Sequence, residues 1–173
     1  MYQVVDWDSG RKLIQIPQVA HTYSVVGNIN EHQLAIGQTT YGGRKECWDS
    51  EVSGIDYGSL IYLTLQRAKT AREAIMVMTQ LIERYGYASE GETFSFCDPN
   101  EVWVMDLIGK RAAPVQSALA KKLKYKYSEG AVWVACRVPE GYVCAHANQA
   151  RITQFPLYSK KDKQHAAISS QQW

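Results

Sequence analysis

Two adjacent helical segments in the middle of the chain, with strand-like runs on both sides, most constrain the fold. The first is predicted to begin at an N-cap, Asp56, and to end at Ala68. The second has a T-x-x-E capping box at Thr70 and Glu73, and Gly86 follows its end. Its apolar residues recur at helical spacing: Ala71, Ala74, Ile75, Met78, Leu81, Ile82 and Tyr85. The fold must therefore place two consecutive helices against strands from both halves of the chain.

Strand-like runs flank the helices. They are predicted at residues 2–5, 12–16, 22–26 and 33–37 before the helices, and at 92–97, 101–108, 131–138 and 142–147 after them. The runs around Trp103 and Trp133 are apolar on both faces, which is typical of strands covered on both sides. Four strands, two helices and four more strands predict a layered α+β domain.

The charge is unevenly distributed along the chain. The net charge is +2, yet six basic residues and no acidic one lie between Lys110 and Ser128. Three lysines and one aspartate follow Tyr158, which leaves ten basic and sixteen acidic residues elsewhere. We interpret 111–128 as a basic surface insertion and 158–173 as a disordered polar tail. Binding of nucleic acid or an anionic membrane by 110–126 is a weaker alternative, so we expect neither partner.

The N-terminus gives the first indication of location. It has neither a basic region nor an apolar run typical of a signal peptide, and no stretch of 18 apolar residues occurs in the chain. The sequence therefore predicts no membrane span, and it slightly favours the cytoplasm while leaving the compartment open.

The four cysteines form no recognisable metal motif. They lie far apart, without a CxxC pair or a histidine at zinc-ligand spacing, so we expect buried reduced thiols and no metal or cofactor. Cys47 is a conceivable nucleophile because Arg44 and Lys45 would lower the pKa of its thiol, but no general base is evident.

Three stretches carry a family resemblance. They are VVGNINEHQLAIGQTT at 25–40 with Gly42-Gly43-Arg44 after it, FSFCDPNEVW at 94–103, and GYVCAHANQARI at 141–152. These stretches resemble the PepD-type dipeptidases, cysteine peptidases of the N-terminal nucleophile hydrolase superfamily that are related to the secernins. With the helical segment 55–73 they cover most of 2–109 and 129–157, in family order.

The resemblance implies an αββα sandwich that hydrolyses dipeptides. The family nucleophile is an N-terminal cysteine whose own α-amino group accepts the proton. Thr39 and Asn148 correspond to donors for the oxyanion, and Arg151 would bind the substrate carboxylate or hold the site together. No metal or cofactor is implied.

The chain departs from the family pattern at its start. It begins Met1-Tyr2, and none of its four cysteines has a free α-amino group. We therefore expect residues 1–157 to form a truncated, inactive hydrolase domain with a partial αββα sandwich. The alternative is a non-catalytic, secernin-like protein that binds a peptide or a partner on the same scaffold. An exposed sheet edge would also favour self-association or aggregation.

Overall fold

A computed structural model describes residues 1–43, 54–110, 130–155 and 167–170. Its elements are, in chain order, β1 (Tyr2–Val5), β2 (Lys12–Ile16), β3 (Val25–Val26), β4 (Ile29–Asn30), β5 (Ala35–Tyr41), α1 (Tyr57–Leu65), α2 (Ala71–Tyr85), β6 (Gly91–Cys97), β7 (Val102–Gly109), β8 (Ala131–Arg137) and β9 (Ala167–Ser169). Strands β3 to β9 form one antiparallel sheet whose spatial order equals their chain order, and β1 pairs with β2 alone. The predicted α+β class is confirmed.

Side chains alternate between the two faces of the seven-stranded sheet. One face, which we call the helix face, carries fully buried apolar side chains: Ile36, Phe94, Phe96, Trp103, Met105 and Leu107. They join the side chains of α1 and α2 in one core. The opposite face carries small or polar residues at its centre: Gly37, Thr39, Thr93, Ser95 and Asp106. Residues 142–155, which we call the strap, cross this second face, so we call it the strap face.

The predicted caps of both helices are confirmed. Asp56 Oδ2 accepts hydrogen bonds from the backbone N–H groups of Gly58 and Ser59, and the Thr70 hydroxyl accepts from the N–H of Glu73. Gly86 follows α2 with a φ of +83°, a conformation that favours glycine.

Helix α1 ends three residues before the predicted end. Asn30 Nδ2 donates to the carbonyl oxygens of Leu65 and Ala68, both at 2.8 Å. These two bonds satisfy carbonyl groups that lack an intrahelical partner at the helix end. A side chain 35 residues earlier in the chain thus fixes where α1 stops.

The β1–β2 hairpin covers the outer side of α1. Val4 and Ile16 are fully buried there, and the Ser59 hydroxyl donates to Val5 O at 3.2 Å. The Trp7 ring lies so close to Gly58 that a Cβ at this position would be 2.9 Å from ring atom Cε3. Helix α1 is therefore enclosed between the hairpin and the rest of the core, which explains its apolar composition.

Two strand predictions near the ends of the sheet are wrong. Residues 142–147 form no strand: 142–145 are exposed, and His146 and Ala147 contact the Thr39 side chain of the strap face instead of a strand backbone. Residues 22–37 form two short strands and the start of β5 instead of one simple hairpin, because the chain already turns at Gly27, where φ is +55°.

The outermost strand comes from a segment for which the sequence predicts disorder. Within 158–173, residues Ala167–Ser169 pair with β8, and Ser169 is buried. For the rest of this tail the prediction remains a prediction, since only 167–170 of it is described. The basic insertion at 111–128 and Cys47, with Arg44 and Lys45, also lie outside the described residues. No helix within the described ranges has the length and apolar character needed to cross a membrane.

Candidate functional site

The strap brings polar groups from a late part of the chain onto the strap face of the sheet. It begins after a turn at Pro139-Glu140-Gly141, in which Gly141 has a φ of +78°. From there the chain passes over β5, β6 and β7. Hydrogen bonds to side chains of β5 and β7 hold it, and Gln149 O lies 3.3 Å from the Thr93 hydroxyl of β6. The site residues that the family resemblance implies lie on β5 and on this strap.

Thr39 holds the first part of the strap. Its hydroxyl donates to Ala147 O at 2.9 Å and lies 2.7 Å from His146 Nδ1. A hydroxyl has one proton, so when it donates to the carbonyl, His146 must carry its proton on Nδ1.

Asn148 lies beside Thr39. Its Nδ2 donates to Thr40 O at 2.7 Å, on the outer edge of β5, and the side chain is exposed. An amide nitrogen carries two protons, so one N–H remains for a further acceptor. The structure therefore brings together two of the three predicted site residues, Thr39 and Asn148.

Arg151 is held through its backbone. Its N–H and that of Ile152 donate to Asp106 Oδ2 at 2.7 and 2.6 Å. The residue itself is exposed, and no hydrogen bond or ion pair joins its guanidinium to another residue in the described part of the chain. The guanidinium of Arg151 is thus available near the site without contacting Thr39 or Asn148.

Asp106 is a residue that sequence reasoning missed. Its second oxygen, Oδ1, accepts from the Thr93 hydroxyl at 2.6 Å, so three donors occupy the carboxylate. Both Asp106 and Thr93 are buried. The signal was present in the sequence, because Asp106 is the one acidic residue within the apolar run of β7.

Tyr41 closes the end of β5 next to this network. Its ring lies over Gly91, where a Cβ would be 2.5 Å from ring atom Cε2, and its hydroxyl donates to Leu107 O at 3.1 Å. Burial, followed by the nearby charge of Asp106, raises the pKa of Tyr41 well above its usual value. The phenol is therefore a neutral donor at this position, and a side chain at residue 91 would force the Tyr41 ring to shift.

The described cysteines are less buried than the sequence predicts. Cys97 and Cys144 are exposed and Cys136 is half-buried, because Cys97 ends β6 and Cys144 lies in the strap. Cys97 pairs with Ala35, four residues from Thr39, which places it roughly 13 Å from Thr39 along the strand. Across the described ranges, no group of three or more His, Cys, Asp or Glu side chains is arranged to hold a metal ion.

Three of the known proteins that the chain resembles are each named as a dipeptidase or a probable dipeptidase. The chain is 27% identical over 128 residues to a probable dipeptidase of Latilactobacillus sakei. The aligned residues are 72% of this chain and 23% of that protein. It is 29% identical over 119 residues to a dipeptidase of Bifidobacterium longum, covering 68% and 18%. It is 28% identical over 111 residues to a probable dipeptidase A of Streptococcus pyogenes, covering 64% and 19%. The chain thus spans about a fifth of the length of these relatives.

The profile of Peptidase family C69 matches residues 5–171, which is nearly the whole chain. This match includes β5, which carries Thr39, and the strap, which carries Asn148 and Arg151. The chain therefore belongs to Peptidase family C69.

Proposed function

We propose that the chain is part of a cysteine-type dipeptidase, in which Thr39 and Asn148 supply oxyanion donors and Arg151 binds the carboxylate of the dipeptide. The observation that carries this proposal is the family membership, together with the position of Thr39 and Asn148 side by side at the end of β5. The named relatives are dipeptidases or probable dipeptidases.

The proposed chemistry is attack of a cysteine thiolate on the peptide carbonyl. As the thiolate adds, the carbonyl oxygen becomes an oxyanion, which hydrogen-bond donors placed in advance stabilise. The second N–H of Asn148 is available as one such donor. The Thr39 hydroxyl would turn away from Ala147 O to donate to the oxyanion. The exposed guanidinium of Arg151 suits a carboxylate because its planar fork can donate two parallel hydrogen bonds.

The αββα arrangement is also a proposal. In such a sandwich, helices cover one face of each sheet and the two sheets pack on each other through the other face. The helix face of this sheet carries both helices, and the small side chains at the centre of the strap face suit close packing against a second sheet.

We further propose that these 173 residues alone do not hydrolyse dipeptides. The family nucleophile requires a free α-amino group on the cysteine, and all four cysteines of this sequence are internal. Incubating the purified chain with alanylalanine, with and without iodoacetamide, should release no free alanine in either case. Hydrolysis that iodoacetamide abolishes would contradict this proposal, and single Cys→Ser replacements would identify the thiol.

The dipeptidase function is tested on the chain together with whatever the gene encodes upstream of Met1. Reading the gene upstream of Met1 should reveal an in-frame cysteine that maturation can expose, and that protein should hydrolyse dipeptides. Asn148→Ala should then lower kcat by about a hundredfold or more, as expected for loss of an oxyanion donor. Asn100→Ala is the matched control, since Asn100 is an exposed turn residue away from the strap, and it should leave kcat unchanged.

The second candidate function is non-catalytic binding of a peptide or partner by a secernin-like protein. It is favoured by the fact that the Thr39 hydroxyl and one N–H of Asn148 are already engaged within the chain. Saturable binding of alanylalanine by the longer protein, without turnover, would support this candidate and exclude the dipeptidase.

A further inference from the structure

A second polar site lies on the other side of the sheet from Thr39. Thr40 is the next residue along β5, so its side chain points to the helix face instead of the strap face. It lines a cavity of about 580 Å³ together with Asp8 of the hairpin turn, Tyr57 of α1, and Glu90 and Glu92 at the start of β6. We call this cavity the acidic pocket.

Glu92 is the central group of the acidic pocket. The residue has no exposed surface, and Oε1 accepts from the Thr40 hydroxyl at 2.6 Å. Its other oxygen, Oε2, is buried and has no hydrogen-bond partner among the described residues. A buried carboxylate oxygen without a donor is costly, so the pocket presents an acceptor whose partner is missing.

The surroundings of Glu92 favour a positively charged ligand. Burial raises the pKa of Glu92 to about 7, the hydrogen bond from Thr40 lowers it, and the charges of Asp8 and Glu90 raise it further. A bound cation would lower the pKa of Glu92, which is the opposite of what the charges of Asp8 and Glu90 do.

The other titratable groups near Glu92 are three phenols and one exposed arginine. The phenols belong to Tyr41 of β5, Tyr57 of α1 and Tyr87, and the Tyr57 hydroxyl donates to Asp8 Oδ1 at 3.0 Å. Arg11 lines the pocket but is exposed, and its charge helps lower the pKa of Asp6, after the hydrogen bonds from Ser9. Glu92 therefore lies among neutral phenols and like charges, and no donor among the described residues bonds its Oε2.

We propose that the acidic pocket binds a primary ammonium group, with Glu92 Oε2 as its main acceptor and Asp8 as a second acceptor. An ammonium group has three N–H donors, which match several carboxylate oxygens at one site. A metal ion fits less well, because the described residues offer no group of three ligands in metal-binding geometry. The ammonium is carried either by a small amine or by a lysine side chain. Both sources share this chemistry, and the site is distinct from the proposed dipeptidase site on the strap face.

The test uses n-butylammonium as the probe and the full 173-residue chain. Ligand-observed NMR should show saturable binding, while n-butanol, which has the same carbon chain but no charge, should not bind. Because Glu92 must be ionised to hold the cation, affinity should rise about tenfold between pH 6 and pH 8. Glu92→Gln should weaken binding at least tenfold at pH 8 and remove the pH dependence. Glu31→Gln, at an exposed glutamate outside the pocket, should behave like the parent.

A second variant keeps the test decisive if Glu92→Gln does not fold. Thr40→Val removes the hydroxyl that lowers the pKa of Glu92 and retains the shape of the side chain. It should weaken n-butylammonium binding at pH 7 and move the midpoint of the pH profile upward. An unchanged profile in this variant would contradict the proposal.

Two further measurements distinguish a small amine from a lysine side chain, and an ammonium group from a metal ion. Tighter binding of Nα-acetyl-lysine methylamide than of n-butylammonium assigns the site to a lysine side chain, and equal or weaker binding assigns it to a small amine. Displacement of n-butylammonium by an equal concentration of Mg²⁺ or Ca²⁺ would overturn the ammonium assignment. So would a dissociation constant for n-butylammonium above about 10 mM at pH 8, which is weaker than a specific site requires.

Discussion

Two buried carboxylates occupy opposite faces of the same sheet, and they differ in how many of their oxygens are satisfied. Asp106, on the strap face, accepts from the Thr93 hydroxyl at 2.6 Å and from two backbone N–H groups of the strap. Glu92, on the helix face, also accepts from a threonine hydroxyl at 2.6 Å, that of Thr40, but its second oxygen has no partner among the described residues.

This difference separates a structural role from a binding role. A carboxylate whose oxygens are all occupied holds two segments together and has little capacity left for a ligand. A carboxylate with one buried, unpartnered oxygen beside a cavity retains that capacity and costs stability when it ionises. Each carboxylate accepts from a threonine hydroxyl. Asp106 uses its remaining capacity to stabilise the strap, whereas Glu92 keeps a free acceptor.

The largest expected effect comes from removing the satisfied carboxylate. Asp106→Ala leaves two backbone N–H groups without an acceptor and leaves the Thr93 hydroxyl only the longer contact with Gln149 O, so the free energy of unfolding should fall by about 3 kcal/mol. Asp106→Asn is the matched variant, since its amide oxygen can still accept from Arg151 and Ile152, and it should lose about 1 kcal/mol. Urea unfolding measures both, and equal losses would show that the strap does not depend on these hydrogen bonds.

The next effect concerns the pH dependence that Glu92 imposes. Its pKa is raised from 4.5 to about 7 in the folded chain, so between these values the folded state binds the proton that the unfolded state has released. The free energy of unfolding should therefore fall as pH rises from 4.5 to 7, by at most about 1.4 kcal/mol per pH unit, and level off above 7.

Glu92→Gln isolates this contribution. The variant should lack this part of the slope and should be more stable than the parent at pH 8, whereas Glu31→Gln should keep the parent slope. Thermal or urea unfolding measured from pH 5 to pH 8 distinguishes the two variants. If the unfolding free energy of Glu92→Gln falls with pH as it does in the parent, Glu92 is not the source of this pH dependence.

The smallest expected effect is at Thr39, which holds the strap through a neutral hydroxyl. Thr39→Val removes the bonds to Ala147 O and His146 Nδ1, and the free energy of unfolding should fall by about 1 kcal/mol. Thr22→Val is the control, because Thr22 is exposed and forms no side-chain hydrogen bond with another described residue. A loss as large as that of Asp106→Ala would mean that β5, rather than β7, anchors the strap.

The sequence predicted the features whose causes are local. The N-caps at Asp56 and Thr70 and the glycine after α2 depend on a few neighbouring residues, so they could be read directly. The family resemblance, which rests on longer stretches, is also confirmed. The contact between β5 and the strap at Thr39 and Asn148 came only through that resemblance, since 108 positions separate the two partners of each bond.

The errors arose where distant partners decide the conformation. Residues 142–147 looked like a strand, but in the described chain no strand pairs with them, and the Thr39 side chain holds only the last two. The polar composition around Ala167–Ser169 predicted disorder, yet the open edge of β8 gives these residues a pairing partner. The sequence did not indicate that Glu92 would be special. That its Oε2 is buried without a donor depends on how β5, α1 and the hairpin turn enclose it.

The identity between strand order and chain order has a consequence for synthesis of the protein. Because β3 to β9 are neighbours in the order in which they occur, each strand that leaves the ribosome can be added to the free edge of the strands already paired. No earlier pair has to open to admit a later strand. The longest interval is between β5 and β6, where both helices must emerge before the sheet can grow again.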